Sequence, residues 1–357
     1  MRLILPVSGQ SARYPGLRPK WMLNHPNGNL MIAESIRGLN MTGIKEMIVV
    51  CLRCHYEKYG VQVMLDKQFA KLGLGNKLRV VVIEQSDSQP HTVYQALKRE
   101  HVSGPILIKD SDNYFVYTPK PGNTVCYAGI ADINRGNVAN KSYVMINEAG
   151  TLLNIVEKRM ISDLFCTGGY GFAGASEFVA AFEQMPATPN LYISHVIYQM
   201  MLKGALFSGS RVSDYVDWGT VKDWNAYRSR FCTLFIDLDG VLVENSAEYF
   251  SPYWGETDAI KENVAIINHL YDSGYGEIVI TTTRGADTEE KTRAQLNRIG
   301  LKYHRIFFGL LHAKRIVVND YSKSNPYRSC DAINICRNSG QLADMLQNLI
   351  SMTNDEL

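Results

Sequence analysis

The chain has 357 residues, too many for one ordinary hydrophobic core and enough for two domains. Hydrophobic residues make up 46% and charged residues 20%, which excludes a disordered chain. The formal net charge is +2 and no run of Lys and Arg appears, so nucleic acid is not expected as a partner. The composition favours small-molecule partners.

The first residues run directly into a strand-like segment, without the apolar region of a signal peptide. No apolar run approaches the roughly 20 residues that a membrane span requires. We therefore expect no membrane span and a cytoplasmic location.

Short apolar strand candidates alternate with helical stretches in the first half of the chain. The predicted strands are residues 3–7, 46–52, 80–83 and 105–109. The predicted helices are residues 31–39, 56–72 and 92–99. This alternation predicts an α/β fold with a parallel sheet covered on both faces, whose ligands lie at the carboxyl ends of the strands.

The pattern begins again near residue 230, where a polar stretch compatible with a helix is followed by a new apolar strand, residues 232–236. A second βα series then follows, with strands 277–281 and 315–318 and helices 288–299 and 340–349. We predict two domains, residues 1–228 and 229–357, joined by almost no linker.

A loop of small and basic residues follows the first predicted strand. Its candidate phosphate-binding residues are Ser8, Gly9, Gln10, Ser11, Arg13 and Lys20. Small residues let backbone N–H groups approach a polyphosphate, and Arg13 and Lys20 place positive charge where a triphosphate would lie. The loop therefore predicts a nucleoside triphosphate site.

Two carboxylates, Asp110 and Asp112, follow the strand at 105–109. Such a pair is also typical of a solvated turn, but its place near the phosphate loop favours a site for Mg²⁺ bound to phosphate oxygens.

Together these motifs resemble the signature of sugar-1-phosphate and choline-phosphate nucleotidyltransferases, roughly G-x-G-[ST]-R followed by P-K, over residues 1–228. Ser11 and Ala12 stand where that family usually has Gly and Thr. The resemblance implies a Rossmann-like mixed-sheet domain that transfers a nucleotidyl group from a nucleoside triphosphate to a sugar or polyol phosphate, with Mg²⁺ as cofactor.

The resemblance also assigns roles to later residues. Asp217 would be the second metal carboxylate beside Asp112. The acceptor would contact Glu157, Lys158 and Gly169, and the base would be read by Gln85 and Thr92. The identity of the base and of the acceptor stays open.

A second motif, Asp237 and Asp239 followed by Gly240, ends the strand at 232–236. Carboxylates two residues apart in a strand point to the same face. One can attack phosphorus while the other protonates the leaving oxygen.

With this motif, residues 231–357 resemble the haloacid-dehalogenase superfamily of phosphatases. The resemblance implies a Rossmannoid core in which Thr282, or else Thr281, holds the phosphoryl group. Lys314 or Arg315 would be the cation, and Asp320 would bind Mg²⁺ together with Asp237 and Asp239.

The stretch between the first two phosphatase motifs has room for one helix and no cap domain. We expect the core to be open, or covered by the N-terminal domain or by a neighbouring subunit of a homo-oligomer.

The favoured hypothesis is a bifunctional enzyme of surface-polysaccharide or capsule precursor synthesis. One alternative is a nucleotidyltransferase whose phosphatase-like domain is not catalytic. Another treats Asp110 and Asp112 as the metal motif of a glycosyltransferase fused to a phosphatase.

Overall fold

The computed structural model describes residues 1–9, 14–133, 141–186, 191–245, 253–320, 329–347 and 349–350. The chain forms two compact units, Met1–Asn225 and Ala226–Leu357. The division falls inside helix α7, Val221–Arg228, and the sequence predicts the boundary at the end of this helix.

The strands of the first unit form a nine-stranded sheet and a separate pair. The sheet strands are β1 (Arg2–Pro6), β2 (Glu46–Leu52), β3 (Leu78–Ile83), β4 (Ile106–Lys109), β6 (Thr124–Gly129), β7 (Ser142–Ile146), β8 (Leu152–Glu157), β9 (Leu164–Phe172) and β10 (Ser208–Arg211). The separate antiparallel pair is β5 (Asn113–Val116) with β11 (Ser213–Asp217).

The main path of the sheet runs β10-β6-β9-β4-β1-β2-β3, and β7 pairs with β8 and β9. Strands β4, β1, β2 and β3 are mutually parallel, as the alternation predicts. Strand β9 is antiparallel to β4 and β6, which makes the sheet mixed.

Helices cover both faces of this sheet. They are α1 (Met31–Ile36), α2 (Arg53–Tyr59), α3 (Val61–Lys71), α4 (Gln89–Arg99), α5 (Ala175–Glu183) and α6 (Ile193–Leu202). In β1, Ile4 joins the apolar cluster that includes α4, α5 and α6, while Leu3 and Leu5 join the cluster that includes α1 and α3. Because successive strand side chains point to opposite faces, a strand buried on both faces reads as a continuous apolar run.

The predicted helix 56–72 forms two helices instead. Gly60 separates α2 from α3 with a backbone φ of 59°. That left-handed conformation suits glycine and ends the first helix there.

The second unit contains a parallel three-stranded sheet, β12 (Cys232–Asp237), β13 (Gly276–Thr281) and β14 (Arg305–Phe307), in that order. Its helices are α8 (Lys261–Asp272), α9 (Glu289–Arg298) and α10 (Leu342–Gln347). Between β12 and β13, the described residues form only the helix α8.

The predicted strand 315–318 is wrong. Those residues have no strand partner among the described residues, and Ile316, Val317 and Val318 are 77%, 60% and 89% exposed. The third strand of the sheet is β14 instead. Because β14 is short and begins with the polar Arg305, the pattern of apolar runs did not predict it. Among the described residues, no helix has the length and apolar character needed to cross a membrane.

Candidate active site

A cavity of about 720 Å³ opens in the first unit where β1 and β4 end. Its walls come from the loop after β1, the start of α4, the turn after β4 and the segment around β11. The lining residues used below are Ser8, Gly9, Lys20, Ser86, Gln89, Thr92, Asp110, Asp112, Lys141, Ser142, Glu157, Gly168, Tyr192, Tyr215 and Asp217. Ligand sites at the carboxyl ends of strands are the rule for α/β sheets.

The two predicted metal carboxylates of this unit are brought together. Strand β11 pairs with β5 so that Asp217 lies opposite Asn113, and the backbone N–H of Trp218 donates to the carbonyl of Asp112 at 2.9 Å. Both side chains are largely buried, 15% exposed for Asp112 and 11% for Asp217. Distant parts of the sequence therefore bring both carboxylates to one cavity.

Each of these carboxylates forms an ion pair with a lysine. Lys20 donates to Asp112, and Lys141 donates to Asp217. The prediction singled out Lys20 but missed Lys141, because no sequence motif surrounds it.

The turn that carries Asp112 is held by a buried cation. Lys109 is fully buried and donates to the carbonyl of Asp110 at 2.7 Å and to the carbonyl of Asn113 at 3.0 Å. Burial lowers the pKa of Lys109 to about 8. These bonds fix the backbone from Asp110 to Asn113.

Asp110 itself accepts a hydrogen bond from Gln89. Its burial, together with the nearby charge of Asp112, raises the pKa of Asp110 to about 6. The carboxylate also fills the space beside Gly168, whose backbone carbonyl accepts the N–H of Asp110 at 2.8 Å.

The donor set suits Mg²⁺. Hard carboxylate oxygens are the preferred ligands, and Mg²⁺ in phosphate sites usually takes one or two carboxylates, with water and substrate phosphates completing the shell. Asp112 and Asp217 supply two. No cluster of three or more His, Cys, Asp or Glu side chains fit for a metal occurs among the described residues.

The predicted phosphate loop begins at this cavity. The Ser8 hydroxyl is hydrogen-bonded to that of Thr92, which also contacts the Ser86 hydroxyl at 2.8 Å. A Cβ added at Gly9 would meet no atom of the described residues within 4 Å. Gln10, Ser11 and Arg13 lie outside the described residues.

Tyr14 ties the loop to the segment that follows Asp217. It is 2% exposed, and its hydroxyl donates to the carbonyl of Trp218, with the carbonyl of Thr220 also within 3.0 Å. No motif in the sequence marks Tyr14 for this contact.

The two residues predicted to read the base, Thr92 and Gln85, differ in their position relative to the cavity. Thr92 lines the cavity, but Gln85 lies outside it, and its carbonyl accepts a hydrogen bond from the side chain of Gln95 at 2.9 Å. The role of Gln85 stays a prediction, whereas Gln89, in the first turn of α4, lines the cavity and donates to Asp110.

At the predicted acceptor end, Glu157 lines the cavity and accepts hydrogen bonds from the hydroxyls of Ser142 and Ser194. The ammonium of Lys158 bonds to the hydroxyl of Tyr192, itself a wall residue. These contacts place Glu157 and Lys158 beside the same opening.

The glycine-rich strand β9 also reaches this opening. Gly168, rather than the predicted Gly169, lines the cavity. A side chain at Gly169 would meet Phe115 and Cys126 at 2.9 Å, so that glycine faces the core.

In the second unit, Asp237 ends β12 and faces a cation. Its carboxylate accepts from Arg315 at 3.1 Å and from the backbone N–H of Leu238 at 2.9 Å. Burial raises the pKa of Asp237, and Arg315 opposes that rise. Of the two predicted cations, Arg315 makes this contact, while Lys314 is exposed and has no hydrogen bond or ion pair with any described residue.

Asp239 is held by a buried arginine. The guanidinium of Arg284 is 0% exposed and donates two hydrogen bonds, of 2.7 and 2.9 Å, to the carboxylate of Asp239. It also donates to Thr292 at 3.1 Å and Gln295 at 2.8 Å, so it anchors Asp239 to α9.

The two candidate threonines lie differently. The strand register places Thr281 directly beside Asp237, with its hydroxyl donating to the carbonyl of Ile236 at 3.2 Å. Thr282 is fully buried, and its hydroxyl accepts the backbone N–H of Arg284 at 3.1 Å. The pairing therefore favours Thr281 over the predicted Thr282 as the neighbour of Asp237.

The third predicted magnesium ligand of this unit, Asp320, is exposed and lies outside the strands of the sheet, because the strand expected to carry it does not form. Its backbone N–H donates to the side chain of Asn319 at 3.1 Å, and its backbone carbonyl accepts from the Ser329 hydroxyl at 2.5 Å. The magnesium site of this unit stays a prediction.

Solved structures resemble the N-terminal part of the chain. A nucleoside-diphosphate-sugar pyrophosphorylase from Vibrio cholerae matches with a TM-score of 0.53 and 19% identity, over 63% of this chain and 98% of its own. An inositol-1-phosphate CTP transferase from T. maritima has a TM-score of 0.50 and 16% identity, over 62% and 90%. A UDP-glucose pyrophosphorylase complexed with UDP-glucose has a TM-score of 0.50 and 17% identity, over 63% and 97%.

The sequence itself matches no protein-family model and no curated protein. At these identities the likeness establishes the fold alone: the first unit shares its mixed α/β sheet with these solved structures.

Proposed function

We propose that the unit Met1–Asn225 is a nucleotidyltransferase that acts on a sugar or polyol phosphate. The observation that carries this proposal is the presence of Asp112 and Asp217, each paired with a lysine, in one cavity at the strand ends. The similar structures include two pyrophosphorylases and a CTP transferase, which supports the same class of reaction.

In this reaction an oxygen of the acceptor phosphate attacks the α-phosphorus of a nucleoside triphosphate. A new P–O bond forms, the bond from the α-phosphorus to the bridging oxygen breaks, and pyrophosphate leaves. Positioning and charge neutralisation supply most of the catalysis in such transfers. The cavity offers lysine ammonium groups and carboxylates for positioning the substrates and for neutralising their charge.

We assign Asp112 and Asp217 to hold Mg²⁺, which would neutralise phosphate charge when bound. Lys20, with Arg13 from outside the described residues, would bind the triphosphate. Ser8, Gly9, Gln10 and Ser11 would form the phosphate cradle. Glu157 and Lys158 would bind the acceptor.

A substrate panel tests this function. Pyrophosphate release is measured with Mg²⁺ for each nucleoside triphosphate, alone and with sugar and polyol phosphates. We expect release that requires one acceptor class, and its loss in Asp217→Asn; the exposed Asp272→Asn is the control. A wild-type protein that releases no pyrophosphate from any pair would overturn the proposal.

The same panel separates the glycosyltransferase alternative. A glycosyltransferase would consume a nucleotide-sugar and release no pyrophosphate from a triphosphate. Lys20, in the loop after β1 and paired with Asp112, favours a substrate with several phosphates.

We further propose that the unit Ala226–Leu357 hydrolyses a phosphomonoester. The supporting observation is the end of β12, where Asp237 faces Arg315, lies beside Thr281 and is followed by the anchored Asp239. Asp237 would attack phosphorus to form an aspartyl-phosphate while the ester oxygen leaves with a proton from Asp239; water then releases phosphate.

The phosphatase proposal is tested by phosphate release from sugar, polyol and nucleotide phosphates. We expect Asp237→Asn to abolish phosphate release and to leave pyrophosphate release unchanged. Silence of the wild-type protein across this panel would favour a non-catalytic second unit. Activity of both units would suit a cytoplasmic enzyme of surface-polysaccharide precursor synthesis, whether as a monomer or a homo-oligomer.

A further inference from the structure

Lys141 lines the cavity, and the function proposed above assigns no role to its charge. It directly precedes β7, and its side chain is 14% exposed. The ammonium donates to the Asp217 carboxylate and to the hydroxyl of Tyr215 at 2.6 Å. An ammonium has three N–H groups, so one donor remains beyond these two acceptors among the described residues.

The backbone of Lys141 lies against the predicted acceptor pair. Its carbonyl accepts the N–H of Lys158 at 3.0 Å, and the next residue, Ser142, donates its hydroxyl to Glu157. Lys141 therefore connects the acceptor side of the cavity with the carboxylate Asp217, where the reacting phosphates would meet.

On the proposed triphosphate side of the cavity, Lys20 forms the equivalent ion pair with a carboxylate. It pairs with Asp112 as Lys141 pairs with Asp217, and it belongs to the loop assigned to the triphosphate. The acceptor phosphate also carries about two negative charges that must approach the negative triphosphate, by analogy with phosphate on protein side chains. A second cation on the acceptor side would offset that repulsion.

We propose that Lys141 binds the phosphate group of the acceptor and orients its attacking oxygen. This inference rests on the proposed nucleotidyltransferase function and adds a residue to it. Lys141 transfers no proton; it donates a charge-assisted hydrogen bond with its remaining N–H while Asp217 and Tyr215 hold the other two.

Steady-state kinetics of Lys141→Met test the assignment, using the best acceptor from the panel. We expect the KM for the acceptor to rise about 10- to 100-fold, the range for loss of a hydrogen bond to a charged group. The KM for the triphosphate should change little. Lys141→Arg, which keeps the cation, should recover much of the loss, and the exposed Lys203→Met should behave as wild type.

Calorimetry supplies a reading independent of turnover. Titration of the acceptor, and of inorganic phosphate as a probe, into each variant should show the same selective weakening for Lys141→Met. If circular dichroism shows that variant to be unfolded, Lys141→Gln, which keeps a donor for Asp217 but no charge, replaces it with the same expectation.

Three results would overturn the inference in an active wild-type protein. These are an unchanged acceptor KM and affinity, a rise confined to the triphosphate KM, or a fall in kcat with both KM values unchanged. The last would make Lys141 a positioning residue for Asp217. A wild-type protein without pyrophosphate release instead refutes the proposed function, and this inference with it.

Discussion

His25 is buried between two tryptophan rings of the first unit. Its side chain is 3% exposed, and the ring centroids of Trp218 and Trp224 lie 4.2 and 4.6 Å away. This burial lowers the pKa of His25 from 6.5 to about 3. The folded protein therefore resists protonation of a group that the unfolded chain protonates readily.

This difference predicts a loss of stability in acid. Above the ordinary pKa of 6.5 the imidazole is neutral in both states, so its full contribution is present. As the pH falls from there toward about 3, only the unfolded state binds the proton. The free energy of unfolding should then fall by up to about 1.4 kcal/mol per pH unit from this group.

Urea unfolding of the whole chain, followed by tryptophan fluorescence across this pH range, measures the effect. His25→Phe should show a shallower decline than wild type, whereas the exposed His101→Asn should not. Equal slopes for wild type and His25→Phe would show that His25 is not the acid-sensitive group.

Single residues were predictable from the sequence where a local motif marked them. Lys20 follows a proline near the small-residue loop, and Asp112 follows a strand, so both could be placed beforehand. Lys141 and Gln89 carry no such mark. Their places in the cavity are set by contacts with Asp217 and Asp110, which are distant along the chain.

At the scale of elements, β9 shapes the cavity through one glycine. Gly168 has a φ of 83°, and a Cβ there would lie 2.4 Å from a carboxylate oxygen of Asp110. A side chain would strain the backbone and push Asp110 and the following turn away.

Gly168→Ala should therefore reduce nucleotidyl transfer by about 100-fold, the loss typical of a displacement of about 1 Å in a reacting geometry. Pyrophosphate release measures it. Gly43→Ala, where a Cβ would meet nothing within 4 Å, is the control and should be fully active. Wild-type activity in Gly168→Ala would show that the turn tolerates the displacement.

In the second unit, α9 and the end of β12 are joined through Arg284. Removing a buried partner of this kind leaves the other polar groups without their bonds, at a typical cost of about 3–5 kcal/mol. Arg284→Leu should destabilise the second unit by that amount, since Asp239, Thr292 and Gln295 all lose a donor.

Guanidinium chloride unfolding, with hydrogen exchange to localise the effect, tests this expectation. Arg305→Leu is the matched control, because the Arg305 pair with Glu277 is exposed and should contribute at most about 1 kcal/mol. Equal effects of the two variants would contradict a stabilising role for the buried pair.

Elements were predictable where the apolar run was long and flanked by turns. Strand β2 agrees with its predicted limits. The strand expected at 315–318 failed, although its residues are apolar, since strand formation also needs a neighbouring edge. The pairing of β5 with β11 is set by long-range contacts that local patterns do not show.

At the scale of the whole molecule, the two units differ in how fully their proposed sites are built. The first unit gathers its carboxylates and lysines in one cavity. In the second unit, Asp237, Thr281 and Arg315 lie at the end of β12, whereas Asp320 lies on an exposed segment outside the sheet. The mixed-sheet fold of the first unit was predicted from its motifs, whereas the haloacid-dehalogenase identity of the second unit stays a prediction.

The path of the α-phosphorus tests the central claim, nucleotidyl transfer in the first unit, most directly. The protein is incubated with Mg²⁺, the acceptor phosphate and a triphosphate labelled with ³²P at the α or the γ position. We expect the α label in a new nucleotide-linked acceptor and the γ label in pyrophosphate, with both products lost in Asp112→Asn. Transfer of the γ label to the acceptor, or product formation that survives Asp112→Asn, would contradict the account.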